Sequence, residues 1–253
     1  MSAPRNVEFA PVVLAPTYNN DRTLGDVLAR IAKLGLQTVV VNDGSSDGTG
    51  ELLDAWRAGA GGRSVVTHAQ NRGKAAALRS GLEYAHAAGF THAVTVDTDG
   101  QHDPEEIPHL LAAAGRHPTS LILGVRSDAI AGYPSRSKTG RRLSNWFIRV
   151  ECGAKVTDSQ SGFRVYPIEL VLAVPWHSGR FGFETEILTR VTWAGRDIVE
   201  VPITSRYFPA GERVSHFRPF VDSARAVGMH ARLLLRSVMP IPHRCVPVPA
   251  VRV

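Results

Sequence analysis

The chain has only two cysteines, Cys152 and Cys245, far apart and not in a CxxC pair. That argues against a disulfide scaffold or a zinc site and suits a reducing compartment. Long apolar runs are also missing. No stretch reaches ~18 uninterrupted apolar residues, so no membrane-spanning helix is expected. The first residues, MSAPRNVEFAP, lack the apolar core of a secretory signal. The expected location is therefore the cytoplasm, either free or peripheral on the cytoplasmic face of the membrane. There is no GxxxxGK[ST] phosphate loop, and no GxGxxG follows the first strand-like run, so neither a P-loop NTPase nor a dinucleotide fold is supported. Internal repeats and low-complexity runs are absent. Lysine is absent from residue 206 onward. That segment carries eight Arg against two acids, Glu212 and Asp222, which formally accounts for the whole net charge of +6. A basic end suits anionic partners such as phosphates or an acidic membrane surface, the bland alternative being a solvated charged face. Nucleic acid is not an expected partner, because only Phe217 and Phe220 interleave with the basic residues as aromatics.

The 253 residues are 43% hydrophobic, enough for one large α/β domain with an appendage. Strand-like runs fall at 11–15, 38–41, 64–67, 93–96 and 121–124. Helical patterns fall between them. Leu24, Val27, Leu28, Ile31 and Leu34 share one helical face, with Thr23 as a cap and Gly35 as a stop. A second helix, capped by Ser46 or Asp47, buries Leu52, Leu53 and Trp56. An Ala-rich helix follows Lys74, and Asp103 caps a helix with Pro104 at its first position. Strands alternating with helices predict a mostly parallel central sheet with helices on both faces. Residues 127–145 read as a mobile basic loop, 157–164 as a polar turn opening a strand, 181–193 as a helix and 197–203 as a late strand. From Pro219 to Met239 the pattern is that of a basic amphipathic helix, suited either to an anionic membrane or to packing on the domain. The expected division is a domain at 1–218 and a C-terminal amphipathic helix and tail at 219–253.

Ligands of such sheets bind beyond the carboxyl ends of the strands. Polar loops at 16–20, 42–48, 71–74 and 97–102 each follow a strand directly, so they should line one rim. The last of these is Asp97-Thr98-Asp99-Gly100-Gln101-His102. Its paired carboxylates and amide oxygen are donors that Mg²⁺ or Mn²⁺ prefer, although Asp and Gly after a strand also simply build turns. The Asn71-Arg72-Gly73-Lys74 loop, placed before a helix N-terminus, can approach phosphate or ribose oxygens. Asp43 can accept from a base or ribose, and Tyr18 can flank a base. For each residue taken singly, a turn or cap role is the alternative.

Together these motifs resemble the family-2 glycosyltransferases of GT-A fold, most closely the polyprenyl-phosphate sugar transferases of the dolichyl-phosphate mannose synthase type. The resemblance runs over roughly residues 10–220 through APTYNN (15–20), VNDGSSDGT (41–49), NRGKAAALRSGL (71–82), DTDGQHDPEEI (97–107), LGVR (123–126), DSQSGFR (158–164), FGFETEIL (181–188) and EVPI (200–203). It implies that Pro16, Thr17, Tyr18 and Asn19 line the nucleotide site, with Asp43 on the base or ribose and Asn71, Gly73 and Lys74 supporting the pocket. Asp97, Asp99 and Gln101 would hold Mg²⁺ or Mn²⁺ against the nucleotide's diphosphate, with Thr98 between them. Arg126 and a cation from 206–218, Arg206 or His216, would neutralise phosphate oxygens. Departures occur at Asn20, where an acid is common, at Ala75, where Gly is common, and at His216, where Lys is frequent.

The implied reaction is inverting transfer of a sugar from a UDP- or GDP-sugar. A lipid-phosphate acceptor is already anionic and needs no strong general base. A hydroxyl acceptor needs a carboxylate within reach, for which Asp158 is the first candidate and Glu184 the second. A turn cap and a first-turn helix acid are their structural alternatives. A sugar-nucleotide pyrophosphorylase is disfavoured, because APTYNN is unlike its Gly-rich loop. The remaining rival is a non-catalytic sugar-nucleotide or lipid-binding module, against which the intact Asp-x-Asp argues.

Overall fold

The computed structural model describes residues 7–59, 61–126, 135–180, 182–205, 219–239, 246 and 251–252. A short strand β1 (Val7–Glu8) comes first. Seven further strands form one sheet: β2 (Pro11–Thr17), β3 (Thr38–Asn42), β4 (Arg63–Thr67), β5 (His92–Thr95), β6 (Leu121–Arg126), β7 (Arg164–Pro167) and β8 (Ile198–Ile203). Their order is β4-β3-β2-β5-β7-β6-β8. Only β7 runs against its neighbours, β5 and β6. The other pairs are parallel, so the strand alternation read from the sequence gives the mostly parallel sheet it predicts. A last strand, β9 (Val251–Arg252), pairs in parallel with β1.

Successive strand residues point to opposite faces, and both faces are covered. Val12 and Leu14 of β2 enter one core with Val39 and Val41 of β3, whereas Val13, Ala15 and Val40 enter the other. Helices α1 (Asp21–Ala32), α2 (Thr49–Arg57) and, further along, α4 (Ile107–Arg116) cover the second face. Helices α3 (Lys74–Ala87), α5 (Ser135–Cys152), α6 (Ile168–Ala173) and α7 (Gly182–Trp193) cover the first. In α1 the 3–4 spacing of Leu24, Val27, Leu28 and Ile31 buries all four side chains. Burying each such side chain contributes about 2 kcal/mol. That helix starts earlier than its sequence suggests. Its N-cap is Asn20, and the expected cap Thr23 instead donates to Asn20 Oδ1 and Thr98 O. The N-cap of α2 is Gly48 and neither Ser46 nor Asp47, although Asp47 Oδ1 accepts from Thr49 N just before the helix. Asp103 accepts from Glu105 N, opening a 3₁₀ turn (Pro104–Glu106) that leads into α4.

One stretch departs from expectation. Residues 127–145 do not form one basic loop. The chain is helical from Ser135, while 127–134 lie outside the described residues. The reason is an inverted amphipathic pattern. The buried positions of α5 include Arg141 and Ser144 beside Ile148, whereas Leu143, Trp146 and Val150 face outward. A search for an inward apolar stripe therefore finds no helix.

Helix α8 (Pro219–Val238) packs on α5 and α7. Met229 and Leu233 are buried. His230 stacks on Phe147 at 4.4 Å and meets the buried Glu151 carboxylate at 2.7 Å. Arg232 reaches Glu186 of α7 at 3.0 Å. No described helix is long and apolar enough to cross a membrane.

Because β2, β3, β4, β5, β6 and β8 all point the same way, their carboxyl ends share one rim. The antiparallel β7 starts there, which brings the loop before Arg164 to the same edge.

Candidate active site

The polar loops meet at Asn20. Its backbone N–H donates to Thr49 Oγ1 at 3.0 Å, and its side-chain amide donates to Thr98 O at 2.7 Å and Thr98 Oγ1 at 3.1 Å. Its neighbour Asn19 has a positive φ of 45°. Asn19 Oδ1 accepts from Ser46 N, and Asn19 N donates to Ser45 Oγ. Thr17 O accepts from Asp43 N, and Thr17 Oγ1 meets Thr98 Oγ1 at 3.3 Å. Three of the loops are thus pinned to one another. Pro16, near the end of β2, and Tyr18, just after it, are half-buried.

Asp43 ties in the fourth loop. Its Oδ1 accepts from Arg72 N at 2.9 Å and its Oδ2 from Gly73 N at 2.7 Å. His68 Nδ1 lies 2.7 Å from Asp43 Oδ1, and His68 Nε2 lies 3.0 Å from Ser80 Oγ. Asp43 is therefore engaged in holding the Asn71–Lys74 loop at the N-terminus of α3. Gly44 makes the crossing of these loops possible. Its φ is +70°, and a Cβ there would lie 2.4 Å from the Gln70 carbonyl carbon and 2.6 Å from Asn71 N. Asn71 is exposed, and Gly73 is buried with a positive φ of 89°.

The centre of the rim is an ionic cluster. Lys74 Nζ lies 2.5 Å from Asp97 Oδ1 and 2.8 Å from Glu184 Oε1. Burial acts to lower the Lys74 pKa, but the two carboxylates outweigh it and hold the ammonium well above the usual lysine range. Burial likewise acts to raise Asp97, and the Lys74 charge overrides it and keeps the carboxylate ionised. Gly162 makes room for all three groups. A Cβ at that position would lie 2.7 Å from Asp97 Oδ2, 2.8 Å from Glu184 Oε1 and 2.9 Å from Lys74 Nζ. Asp99 Oδ1 accepts from Gln101 N at 3.0 Å, which folds the carboxylate pair and the amide of Gln101 into one turn.

A second cluster sits beside it. Arg126, at the end of β6, grips Asp158 with Nε at 2.6 Å from Oδ2 and Nη2 at 2.8 Å from Oδ1. Arg126 N adds a bond of 3.1 Å to Oδ2, and Arg141 Nη1 of α5 stands 3.6 Å from the same oxygen. Burial acts to raise the Asp158 pKa, and the Arg126 bonds and charge bring it below the usual carboxylate range. Asn145 of α5 holds the same loop by donating to Thr157 O and accepting from Ser159 N.

Two further buried residues, Arg164 and His102, belong to this rim. Arg164 is fully buried, and its guanidinium donates to the carbonyls of Ser159, Ser161 and Glu184. It shapes the loop that carries Asp158 and Gly162. An Arg opening a short strand, directly before Val165 and Tyr166, is the signal that could have marked it. His102 is buried and stacks on Phe163 at 5.1 Å, within electrostatic range of Asp97, Arg126, Lys74 and Asp158. Burial depresses its pKa to about 4. Arg206 and His216 lie outside the described residues. The remaining sequence candidates, Pro16, Thr17, Tyr18, Asn19, Asp43, Asn71, Gly73, Lys74, Asp97, Thr98, Asp99, Gln101, Arg126, Asp158 and Glu184, fall on the strand-end loops or on the segment 158–184 that packs against them.

With that geometry in view, comparisons with known proteins give a consistent result. The family model "Glycosyl transferase family 2" matches residues 12–171. An undecaprenyl-phosphate mannosyltransferase of Micrococcus luteus is 30% identical over 205 residues, which is 76% of this chain and 82% of that protein. A polyprenol monophosphomannose synthase of Mycolicibacterium smegmatis is 30% identical over 202 residues, 76% of each chain. Among solved structures, glucosyl-3-phosphoglycerate synthase of Mycobacterium tuberculosis, crystallised with Mn²⁺, UDP-glucose and phosphoglyceric acid, superposes with a TM-score of 0.64 at 21% identity. That match covers 92% of this chain and 81% of the other.

Proposed function

Since the chain belongs to glycosyltransferase family 2 and has its GT-A fold, we propose that it transfers a sugar, mannose being the first candidate, from a UDP- or GDP-sugar to a polyprenyl phosphate with inversion. The observation that carries the choice of acceptor is the state of the two carboxylates named as bases. Asp158 is chelated by Arg126, and Glu184 is paired with Lys74. The Asp158 carboxylate, held ionised by Arg126, is a weak proton acceptor, and Glu184 Oε1 is taken up by the Lys74 ammonium. A hydroxyl nucleophile needs such an acceptor, and a phosphate monoester does not. Asp158 and Glu184 then serve to position Arg126 and Lys74. The names of the two mannosyl-transferring relatives point the same way.

Lys74 at the start of α3 supplies positive charge where a diphosphate would lie, and the loop amides held by Asp43 stand beside it. Charge fixed in place before the reaction is what stabilises a departing diphosphate. Asp97 and Asp99, with Gln101, are oxygen donors that fit Mg²⁺ or Mn²⁺, and the Lys74 ammonium against Asp97 marks a position that attracts cations. When bound, such a cation would neutralise charge on the nucleotide's phosphates. Residues 219–253 are read as an appended element of one catalytic domain.

The test is transfer from GDP-mannose and UDP-glucose, with Mn²⁺, to undecaprenyl phosphate or to undecaprenol. A glycosyl phosphodiester of inverted configuration from the phosphate alone is expected. Glycosylation of the free alcohol at an equal rate, or no product from either donor, overturns the reading.

A further inference from the structure

The turn that joins α6 to α7 is held by both α7 and α8. Glu186 of α7 is fully buried, and its Oε2 accepts from His177 N at 3.2 Å and from Ser178 N at 2.8 Å. From α8, Arg232 Nη2 donates to Ser178 Oγ at 3.1 Å and to Glu186 Oε2 at 3.0 Å. Gly182 N closes the turn on Gly179 O. The residue that this turn presents is Arg180, whose φ is +53°. A long side chain adopts that left-handed conformation at a cost and keeps it only where the surroundings impose it. Glycine would fit there without strain, so an arginine that merely filled the turn would be a poor choice.

Arg180 lies against Gly73. A Cβ on Gly73 would stand 3.0 Å from Arg180 Cγ and 3.7 Å from its Cα, so the arginine stem occupies the space that the glycine leaves. The Gly73 N–H is held by Asp43 Oδ2 at 2.7 Å. Gly73 is thus fixed by a hydrogen bond to Asp43 and by packing against Arg180. The next residue is Lys74, the cation shared by Asp97 and Glu184. The other end of Arg180 turns to α8. Its Nε lies 3.7 Å from Oδ1 of Asp222, a buried acid in the first turn of that helix, which also pairs with Arg225 Nη1 at 3.2 Å.

We infer that Arg180 is a positioning residue for the nucleotide-sugar side of the rim. Its stem seats Gly73 and so aims Lys74, while Asp222 of the C-terminal helix holds its head. Helix α8 is then a working part of the donor site. This rests on the sugar-nucleotide reading and adds to it the residue through which α8 reaches that site.

Calorimetric titration of the full chain with GDP-mannose and with UDP-glucose, in the presence of Mn²⁺, tests it on whichever donor binds wild type more tightly. R180A should bind that donor about tenfold more weakly, a usual cost for removing an outer group that orients a binding side chain. Its KM for the donor should rise, and its KM for undecaprenyl phosphate should stay unchanged. R180K keeps stem and charge and should restore most of the affinity. R180M keeps the stem and should bind more tightly than R180A. D222A alone should weaken binding and add little to R180M, because the two residues act as one unit. R225Q removes the other partner of Asp222 and should bind like wild type. R180G relieves the positive φ. It should melt at or above R180A and still bind donor weakly, a combination that lost stability alone does not produce. The proposal falls if R180A binds donor like wild type or if affinity follows melting temperature through the set. It falls also if R180M is as weak as R180A, which would make the guanidinium itself a ligand of the nucleotide. Donor binding that needs Arg180, without transfer to any acceptor, would overturn the enzymatic reading and leave this one standing. Transfer to undecaprenyl phosphate that is indifferent to Arg180 would do the reverse.

Discussion

Lys74 Nζ stands 2.5 Å from Asp97 Oδ1, so the first acid of the Asp97–Asp99 pair already faces a cation. Lys74 is shared with Glu184, which makes it the keystone between the nucleotide side and the 158–184 side of the rim. Lys74→Met leaves two carboxylates facing one another without a counter-ion. Breaking a mostly buried pair in this way costs about 3–5 kcal/mol, which urea unfolding should register. Binding of Mn²⁺ alone should tighten, while binding of the nucleotide sugar weakens. Unchanged affinity for both would show that the ammonium is a bystander.

Gly162 has no positive φ to protect, so Gly162→Ala tests space alone. The added methyl group meets Asp97, Glu184 and Lys74 within 3 Å. Overpacking of this kind costs about 1–3 kcal/mol. The variant should fold and lose nucleotide-sugar affinity. Calorimetric titration with wild-type affinity would contradict the cluster's role.

Asp158→Asn should lower activity by displacing Arg126, without removing a base. The pH dependence of transfer to a phosphate acceptor should then keep its acidic limb, at a reduced plateau. A double cycle with Arg126→Gln should show strong coupling, because the two residues form one bonded unit. Additive effects, or loss of the acidic limb in Asp158→Asn alone, would restore the base assignment.

Chelation offers a separate check on the oxygen-donor turn. Mn²⁺ should raise the melting temperature in the presence of a UDP- or GDP-sugar, since a ligand bound only to the folded state stabilises it. EDTA should reverse the increase, and Asp99→Ala should abolish it at an otherwise normal melting temperature. A metal-independent increase in wild type would remove the cation from the scheme.

His92 gives a pH prediction outside the site. It is buried between Thr91 Oγ1 and Pro118 O, and burial lowers its pKa from 6.5 to about 4. A depressed histidine pKa means that the unfolded chain binds the proton first. The stabilisation is complete above pH 6.5 and is lost as pH falls toward 4, at up to about 1.4 kcal/mol per pH unit. His92→Gln should flatten that part of the stability curve measured by urea titration. An unchanged slope would show that His92 does not govern it.

Legibility varied with the kind of physics at each place. Parallel strands buried on both faces read as apolar runs, so β2, β3, β5 and β6 were visible, and their polar loops could be assigned to one rim before any coordinates. What hydrogen bonds do there was not visible. Sequence offered Asp43 to a base, and the fold shows it holding Arg72 and Gly73. Asp158 and Glu184 looked like free acids because their cations, Arg126 and Lys74, are remote in the chain. Helix α5 was hidden because Arg141 and Ser144 point inward while Leu143, Trp146 and Val150 point outward. Arg206 and His216 fall outside the described residues.

Asn20 also bears on altering donor choice. One amide and one N–H join the turn after β2 to Thr49 and to Thr98, so these segments move as a block. Swapping single residues to retune sugar or base preference should give strongly non-additive outcomes. Whole sets of facing turns would have to be exchanged together.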